Sequence, residues 1–344
     1  MKRNNVRLPV ALASAALLVV GMAACSTGIE ETTDGPGTTE LSISDPAELK
    51  IAFFSSATNN TYLQAGIEGA KDAAAELGAT VEIFDGEFSA QKQFDQIQSA
   101  ITSGKYNAFV VEPNDGNLMC DILTKDAADA GILVSIINIP ICGRETNLGD
   151  ETHEPGTVTF VGGQTLDVYQ AWVASVVEEN PDGAKVALIA GPDLGANTMN
   201  FWKAAETFES TDGFELVAKQ TTDYTTAQAF EAAQTIMQAN PELDIIMSNY
   251  SGMTRGVLEA VAGTDVEVYD FGGDTWALEQ IGNGSLHQTV VMLPYSETQE
   301  AVLALGDAVK GADVPPFINL TENPALPGTP FITDDNMNEF TPEY

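Results

Sequence analysis

From Leu49 onward the chain alternates short runs of β-branched and aromatic residues with amphipathic segments of helical period. The run "LKIAFFS" (49–55) predicts a strand. In "TYLQAGIEGAKDAAAELGA" the residues Leu63, Ile67, Ala70, Ala74 and Leu77 recur every three or four positions, which puts them on one helix face. Strands follow at "TVEIF", "NAFVVE" and "ILVSII", separated by a helix carrying Phe94, Ile97 and Ile101 and by a second helix over roughly 117–130. Strands joined by crossovers of this length form a parallel sheet covered on both faces. After a loop rich in acids and glycine (145–157) the alternation restarts with strands at "TVTFVGG", "KVALIA", "FELVAKQ", "DIIMSN" and "VEVYDF". Their helices are predicted from about Leu166, around 198–210, around 226–239 and from Met253. A last strand, "HQTVVML", precedes a helix near 296–309. The expectation is an α/β protein of two Rossmann-like lobes, each a parallel sheet flanked by helices, with no close sequence repeat between them.

The chain before Leu49 is different. "MKRNNVRLPVALASAALLVVGMAAC" places Lys2, Arg3 and Arg7 ahead of an uncharged apolar run and small residues, the pattern of an export signal. The run is too short and wrongly flanked to span a bilayer, and no later stretch is long and apolar enough to do so. "MAAC" resembles the bacterial lipobox, which makes Cys25 a lipidation site and residues 1–24 the cleaved signal; the alternative is an ordinary secretory peptide cut near Ala23-Ala24. Residues 25–48 carry Gly, Ser, Thr, Pro and acids with almost no large apolar side chains, a flexible tether.

Charge narrows the partners. The chain has 14 Lys and Arg against 50 Asp and Glu, and three of the bases precede Cys25, so the exported part carries 11 − 50 = −39. Such a surface repels nucleic acid and anionic headgroups. With Cys25 assigned to lipid, Cys120 and Cys142 remain in an oxidising compartment, where two cysteines usually pair; the alternative is two inert buried thiols. Both lie at the carboxyl edge of the first predicted sheet, so a disulfide between them is sterically reasonable. Catalytic constellations are not found: His153 and His287 are isolated, and GxSxG, HExxH and GxxxxGK are missing, so no enzyme activity and no cofactor or metal is predicted.

In open parallel sheets ligands sit beyond the carboxyl ends of the strands. The residues just after the predicted strands are Asn59, Asn60 and Tyr62; Glu112 and Asn114; Asn138; Trp202 near its helix start; Tyr224; Asn249 and Tyr250; Asp274; and Met292. Amides and aromatics dominate, without a Lys or Arg, a chemistry that suits a neutral hydroxylated molecule.

At these residues the chain resembles the type I periplasmic binding proteins, the ribose- and galactose-type sugar-binding proteins of bacterial ABC importers. The resemblance covers residues 49 to about 320. "IAFFSSATNNTYLQAGIEGAKDAAAELGATVEIFD", "FDQIQSAITSGKYNAFVVEPND" and "DFGGDTWALEQIGNG" followed by "TVVMLPY" carry it. It implies a first lobe of 49–162 plus 293–313 and a second of 163–292 plus 314–344, joined by a three-segment hinge that closes on a ligand. Carried over residue by residue, Asn60 matches a loop asparagine that bonds a sugar hydroxyl, and Tyr62 and Leu63 match a pair of aromatics. Tyr224 matches the aromatic wall of the second lobe, Trp202 falls near a family arginine, and Tyr250 takes the place of an asparagine. The family's Asp-Arg is Asn138-Ile139 here and its "GFDG" is "DFGG", so Gly272 replaces an aspartate for which Asp274 substitutes; Met292 replaces a glutamine. The implied protein is a monomeric, lipid-anchored, extracytoplasmic solute-binding protein. It captures a small neutral sugar or polyol through Asn60, Tyr62, Asn138, Trp202, Tyr224, Tyr250 and Asp274 and delivers it to ABC permease subunits. A ligand sensor for a membrane kinase or chemoreceptor, and a binder of an aromatic or nucleoside-like compound, are the alternatives.

Overall fold

The structure, a computed structural model, describes residues 43–193 and 195–344. The signal segment and most of the tether, Cys25 among them, lie outside the described residues. The first half runs β1 (Lys50–Ser55), α1 (Thr61–Leu77), β2 (Thr80–Asp85), α2 (Ala90–Ser103), β3 (Ala108–Val111), a π-helical stretch over Ile122–Asp126 that continues into α3 (Ala127–Asp129), β4 (Leu133–Ile137) and β5 (Thr159–Gly162). The second half runs α4 (Leu166–Glu179), β6 (Lys185–Ala190), α5 (Ala196–Ala204), α6 (Glu206–Ser210), β7 (Glu215–Thr221), α7 (Thr226–Ala239), β8 (Ile245–Ser248), α8 (Ser251–Val261), β9 (Glu267–Gly272), α9 (Thr275–Gly282) and β10 (Gln288–Val291). The chain then returns through α10 (Pro294–Val309), β11 (Phe317–Asn319) and β12 (Phe331–Ile332).

The strands form two sheets, ordered β11-β5-β4-β3-β1-β2 and β12-β10-β9-β8-β6-β7. Every pairing is parallel except that of β12 with β10. Near-continuous apolar strands follow from burial on both faces. In β1, Ile51 and Phe53 pack with Ile67, Ala70 and Ala74 of α1 and with Val302 and Leu305 of α10. The intervening Ala52 and Phe54 pack with Ile97 of α2 and with Ile122 and Leu123 on the opposite face. β6 repeats the device, with Ala187 and Ile189 facing α7 and α8 while Val186 and Leu188 face Val173 of α4 and Phe201 of α5. Gly69 lets α1 and α10 approach closely, because a Cβ there would sit 2.2 Å from the Tyr295 carbonyl oxygen.

The chain passes between the sheets three times, at 163–165, 292–293 and 320–330. The third passage differs from the expected switch at residue 314. β11 pairs with β5, so the return segment belongs to the first sheet through Asn319. Three residues behind Pro315 and Pro316 carry too little alternation to announce a strand. Two helices also differ from expectation. Residues 117–118 are held in a turn by the Asp115 carboxylate, which accepts from the Asn117 and Leu118 amides at 2.9 Å each, so the helix begins later. The helix expected over 198–210 breaks at Ala205 into α5 and α6.

Cys120 and Cys142 are joined by a disulfide, with Cα atoms 4.9 Å apart and a sequence separation of 22. The closed loop contains β4 and its strand end, Asn138, so the link pins the segment that carries a predicted site residue.

Candidate functional site

The carboxyl ends of the first sheet converge on the Tyr62 phenol. α1 begins at Thr61 because the Asn60 side chain caps it, its Oδ1 accepting from the Leu63 amide at 2.9 Å, and this cap fixes Tyr62 in the first turn. The Tyr62 hydroxyl accepts from Asn138 Nδ2 at 2.8 Å and Gln164 Nε2 at 3.3 Å, and donates to Glu297 Oε2 at 2.8 Å. Glu112, at the end of β3, accepts from the Ser56 amide at 3.2 Å, Ser55 Oγ at 3.3 Å and Asn138 Nδ2 at 3.4 Å. From the second lobe, Asn197 in the first turn of α5 donates to Gln164 Oε1 at 3.0 Å and Asn138 Oδ1 at 3.3 Å. Asn138 thus joins both lobes in one network. Its φ of 62° is left-handed, a conformation asparagine tolerates better than most residues.

Two carboxyls sit inside this layer. Burial pushes Glu112 up to about 7, and burial together with the charge of Glu112 pushes Glu297 well above the carboxylate range. Both are biased toward the neutral acid, which donates as well as accepts hydrogen bonds. The layer that amides and aromatics dominate in sequence therefore also holds carboxyls, and burial disfavours their ionisation.

The second lobe supplies an aromatic wall. Tyr224, just beyond β7, meets Tyr250 edge to face with ring centroids 5.9 Å apart. Its ring lies over the end of β6 because Gly191 is there; a Cβ at that glycine would come within 2.0 Å of the ring. Burial pushes the Tyr224 phenol up to about 12. With φ at 58°, Tyr224 holds a left-handed backbone that a bulky residue adopts at a cost of about 1 kcal/mol or more, and such strain concentrates at binding sites. Near it Tyr169 Oη, Thr198 Oγ1 and Asn249 Nδ2 are buried without a well-aligned hydrogen bond, the Thr198 hydroxyl lying against the Tyr224 phenol and the Asn249 amide against that of Tyr169. A buried polar group left without a good partner costs about 1–3 kcal/mol, so these helix-start and strand-end atoms are candidates to pair with a ligand's hydroxyls.

The predicted residues do not all join this layer. Tyr62 and Asn138 lie at its centre, and Tyr224 and Tyr250 form the facing wall. Asn60 directs its carbonyl oxygen at the α1 cap, accepting from the Leu63 amide, so its side chain is oriented by the helix. Asp274 is committed on both oxygens, capping α9 through the Ala277 amide at 2.7 Å and pairing with Arg255 at 2.6 Å. Trp202 is turned away: it stacks on Phe201, lies under Lys219 and points its indole N–H at Asp193, while Asn197, five residues earlier, makes the interlobe contacts. Sequence reasoning also missed Gln164, Glu297 and Arg255. Arg255 brings a guanidinium to the second-lobe strand ends, but Asp274 matches its charge, and one of its faces stacks on Trp276, with 4.8 Å from guanidinium carbon to ring centroid, while the side chain stays exposed.

An open groove of about 630 Å³ lies elsewhere, between the edge strand β2 and α2, lined by Glu82, Phe84, Lys92, Lys105 and Tyr106. It is open to solvent and shares no lining residue with the interlobe layer, which is the better candidate. A much smaller cavity, about 10 Å³, adjoins the network between Tyr62, Gln164, Met292 and Glu297. Among the described residues no cluster of His, Cys, Asp or Glu is placed to hold a metal ion, and no helix is long and apolar enough to cross a membrane.

Two lobes, three crossings and polar strand ends facing each other define a recurrent architecture, and the family model described as a periplasmic binding protein domain matches residues 51–313. The chain belongs to the periplasmic binding protein family. Among relatives of this periplasmic binding protein, the D-apiose import binding protein of Actinobacillus succinogenes is 26% identical over 258 residues, 74% of this chain and 79% of the relative. The ribose import binding protein of Escherichia coli is 22% identical over 272 residues, covering 77% and 86% of the two chains. In fold, this periplasmic binding protein is similar to the Caulobacter myo-inositol binding protein bound to myo-inositol, with a TM-score of 0.73, 23% identity and coverage of 85% and 96%. A Mycobacterium smegmatis ABC transporter solute-binding protein with bound glycerol gives a TM-score of 0.72 at 24% identity, with the same coverage.

Proposed function

We propose that this protein is an extracytoplasmic, non-catalytic solute-binding protein that closes its lobes on a small neutral sugar or polyol and delivers it to an ABC permease. The observation that carries this is the set of under-paired hydroxyl and amide atoms near Tyr224, beside a network whose carboxyls are biased toward the neutral form. Hydroxyls of a polyol pair with such groups in both directions, and phenol rings pack on its C–H faces. The names of the relatives, import proteins for apiose and ribose, support the same class. A phosphate or sugar acid fits poorly, because Arg255 is already paired and an anion would be desolvated without a partner. A thermal-shift screen of sugars and polyols is expected to return a stabiliser worth about 2.7 kcal/mol at a hundredfold excess over Kd. Stabilisation by anionic compounds alone would refute the reading.

Within that site Tyr224→Ala is expected to raise the Kd tenfold or more, about 1.4 kcal/mol. An unchanged Kd removes Tyr224 from the ligand's contacts. Anchoring through Cys25 belongs to the same proposal, supported by the apolar signal and the "MAAC" run. Metabolic labelling with a fatty acid is expected to mark the wild type and to fail in Cys25→Ser; an unlabelled wild type rules out the anchor. The delivered form is proposed to be a monomer on the outer face of the cytoplasmic membrane.

A further inference from the structure

The segment after β12 does something that neither sheet requires. The Glu343 carboxylate sits on the first turn of α10, accepting from the Tyr295 amide at 2.8 Å, from the Ser296 amide at 3.2 Å and from Ser296 Oγ. That turn belongs to the first lobe, and the Tyr295 hydroxyl ties it onward to Asp72 of α1 at 2.9 Å. The next residue, Tyr344, is held by the second lobe. Its hydroxyl donates to the Gly272 carbonyl at 2.9 Å, and its own carbonyl accepts from the Thr275 amide and Oγ1 at 2.9 Å each. The Tyr344 ring then meets the ring of Tyr62 edge to face, centroids 5.8 Å apart and planes at 87°. Two consecutive residues, with Cα atoms about 3.8 Å apart, therefore grip different lobes. These residues also lie outside the 51–313 span of the family match.

We propose that Glu343 and Tyr344 form a strap across the hinge that favours the closed arrangement, with Tyr344 a positioning residue of the binding site that holds Tyr62 in place. Glu343 fixes the strap to the hinge end of α10, and three hydrogen bonds hold Tyr344 to the strand and helix at Gly272 and Thr275. The contact that opening breaks is the ring pair, because Tyr62 moves with the first lobe. Tyr62 is also the hub of the network through Asn138, Gln164 and Glu297. Closing thus packs Tyr62 against Tyr344 and orders the residues that face the ligand. Ligand binding gains whatever closed population the strap adds.

The proposal rests on the closing cleft described above, and hydrogen exchange on the unliganded full-length protein in detergent tests it without any ligand. In Tyr344→Ala, peptides covering 60–64, 136–139 and 195–200 are expected to exchange about tenfold faster, although the ring and hydrogen-bond partners of Tyr344 include a residue of only the first of these regions. Tyr344→Phe keeps the ring pair and is expected to retain most of the protection. Faster exchange confined to peptides around 272–276 and 294–297, or equal effects of Ala and Phe, would overturn the strap. A second arm uses D-ribose and myo-inositol as probes: Tyr344→Ala is expected to bind whichever stabilises the wild type more weakly, and tighter binding would overturn the proposal. If neither probe stabilises the wild type while the exchange pattern holds, the sugar assignment is weakened and the strap stands.

Discussion

Raising the pH from about 5 to about 8 is expected to lower the melting temperature of the unliganded protein, and Glu112→Gln is expected to remove much of that fall. The Glu112 carboxyl lies at the end of β3 with Ser55, Ser56 and Asn138 as its partners, and burial raises it from an ordinary 4.5 to about 7. Between those values the folded state holds a proton that the unfolded chain has released. The contribution is therefore complete below about pH 4.5 and is lost as the pH rises through about 7. At about 1.4 kcal/mol per pH unit the gap corresponds to on the order of 3 kcal/mol. Asp270 acts in the same direction: burial raises it from 3.8 to about 6 although Ser251, Thr254 and Thr289 all donate to it. Its share remains in Glu112→Gln, so the variant should show a shallower slope rather than a flat one. Self-repulsion of the acidic surface also grows with pH, but glutamine at a buried position leaves that surface unchanged, so the difference between the two slopes reports Glu112 together with the part of the Glu297 shift that the Glu112 charge causes. A variant slope equal to that of the wild type would show that Glu112 ionises freely in the folded protein.

The lobes were legible because their strands are apolar on both faces and their helices carry one apolar face, patterns that survive without tertiary information. β11 and β12 were not, since three and two residues carry no period and only their partners β5 and β10 make them strands. In the candidate layer, the positions of Tyr62, Asn138 and Tyr224 were legible because position after a strand end is itself a physical argument. Asn197 was missed for a nearby reason: α5 begins two residues before the predicted helix start, and Trp202 drew the assignment by its place near that start and near a family arginine although its indole N–H points at Asp193. Glu297 and Gln164 come from the helix and hinge segments rather than from loops directly after predicted strands, and they meet Tyr62 across 235 and 102 residues of sequence. No local pattern encodes such contacts. Asp274 shows the converse, a strand-end acid whose oxygens go to a helix cap and an arginine.

Removing the Cys120–Cys142 disulfide should have an effect as large as the pH shift and should reach the site as well. The link closes a loop spanning 22 residues of sequence, which on the chain-entropy account stabilises the fold by about 3 kcal/mol by restricting the unfolded chain. The double variant Cys120→Ser, Cys142→Ser is therefore expected to melt about 5 °C or more below the wild type. Two features suggest that the loss goes beyond entropy. Cys142 holds a left-handed backbone at φ 62°, and its amide donates to the Gly116 carbonyl at 3.2 Å, so the loop returns tightly to the turn after β3. Asn138 lies four residues earlier and is itself left-handed, and a loosened loop relaxes the conformation that aims its amide at Tyr62 and Glu112. The variant should consequently bind its ligand more weakly as well as melt earlier. Replacing Cys142 by glycine instead of serine should recover part of the stability, because glycine occupies positive φ without strain. Thiol titration of the unfolded, unreduced wild type provides the direct check: two reactive thiols from Cys120 and Cys142, with a melting temperature indifferent to reductant, would show that the staple does not form in solution.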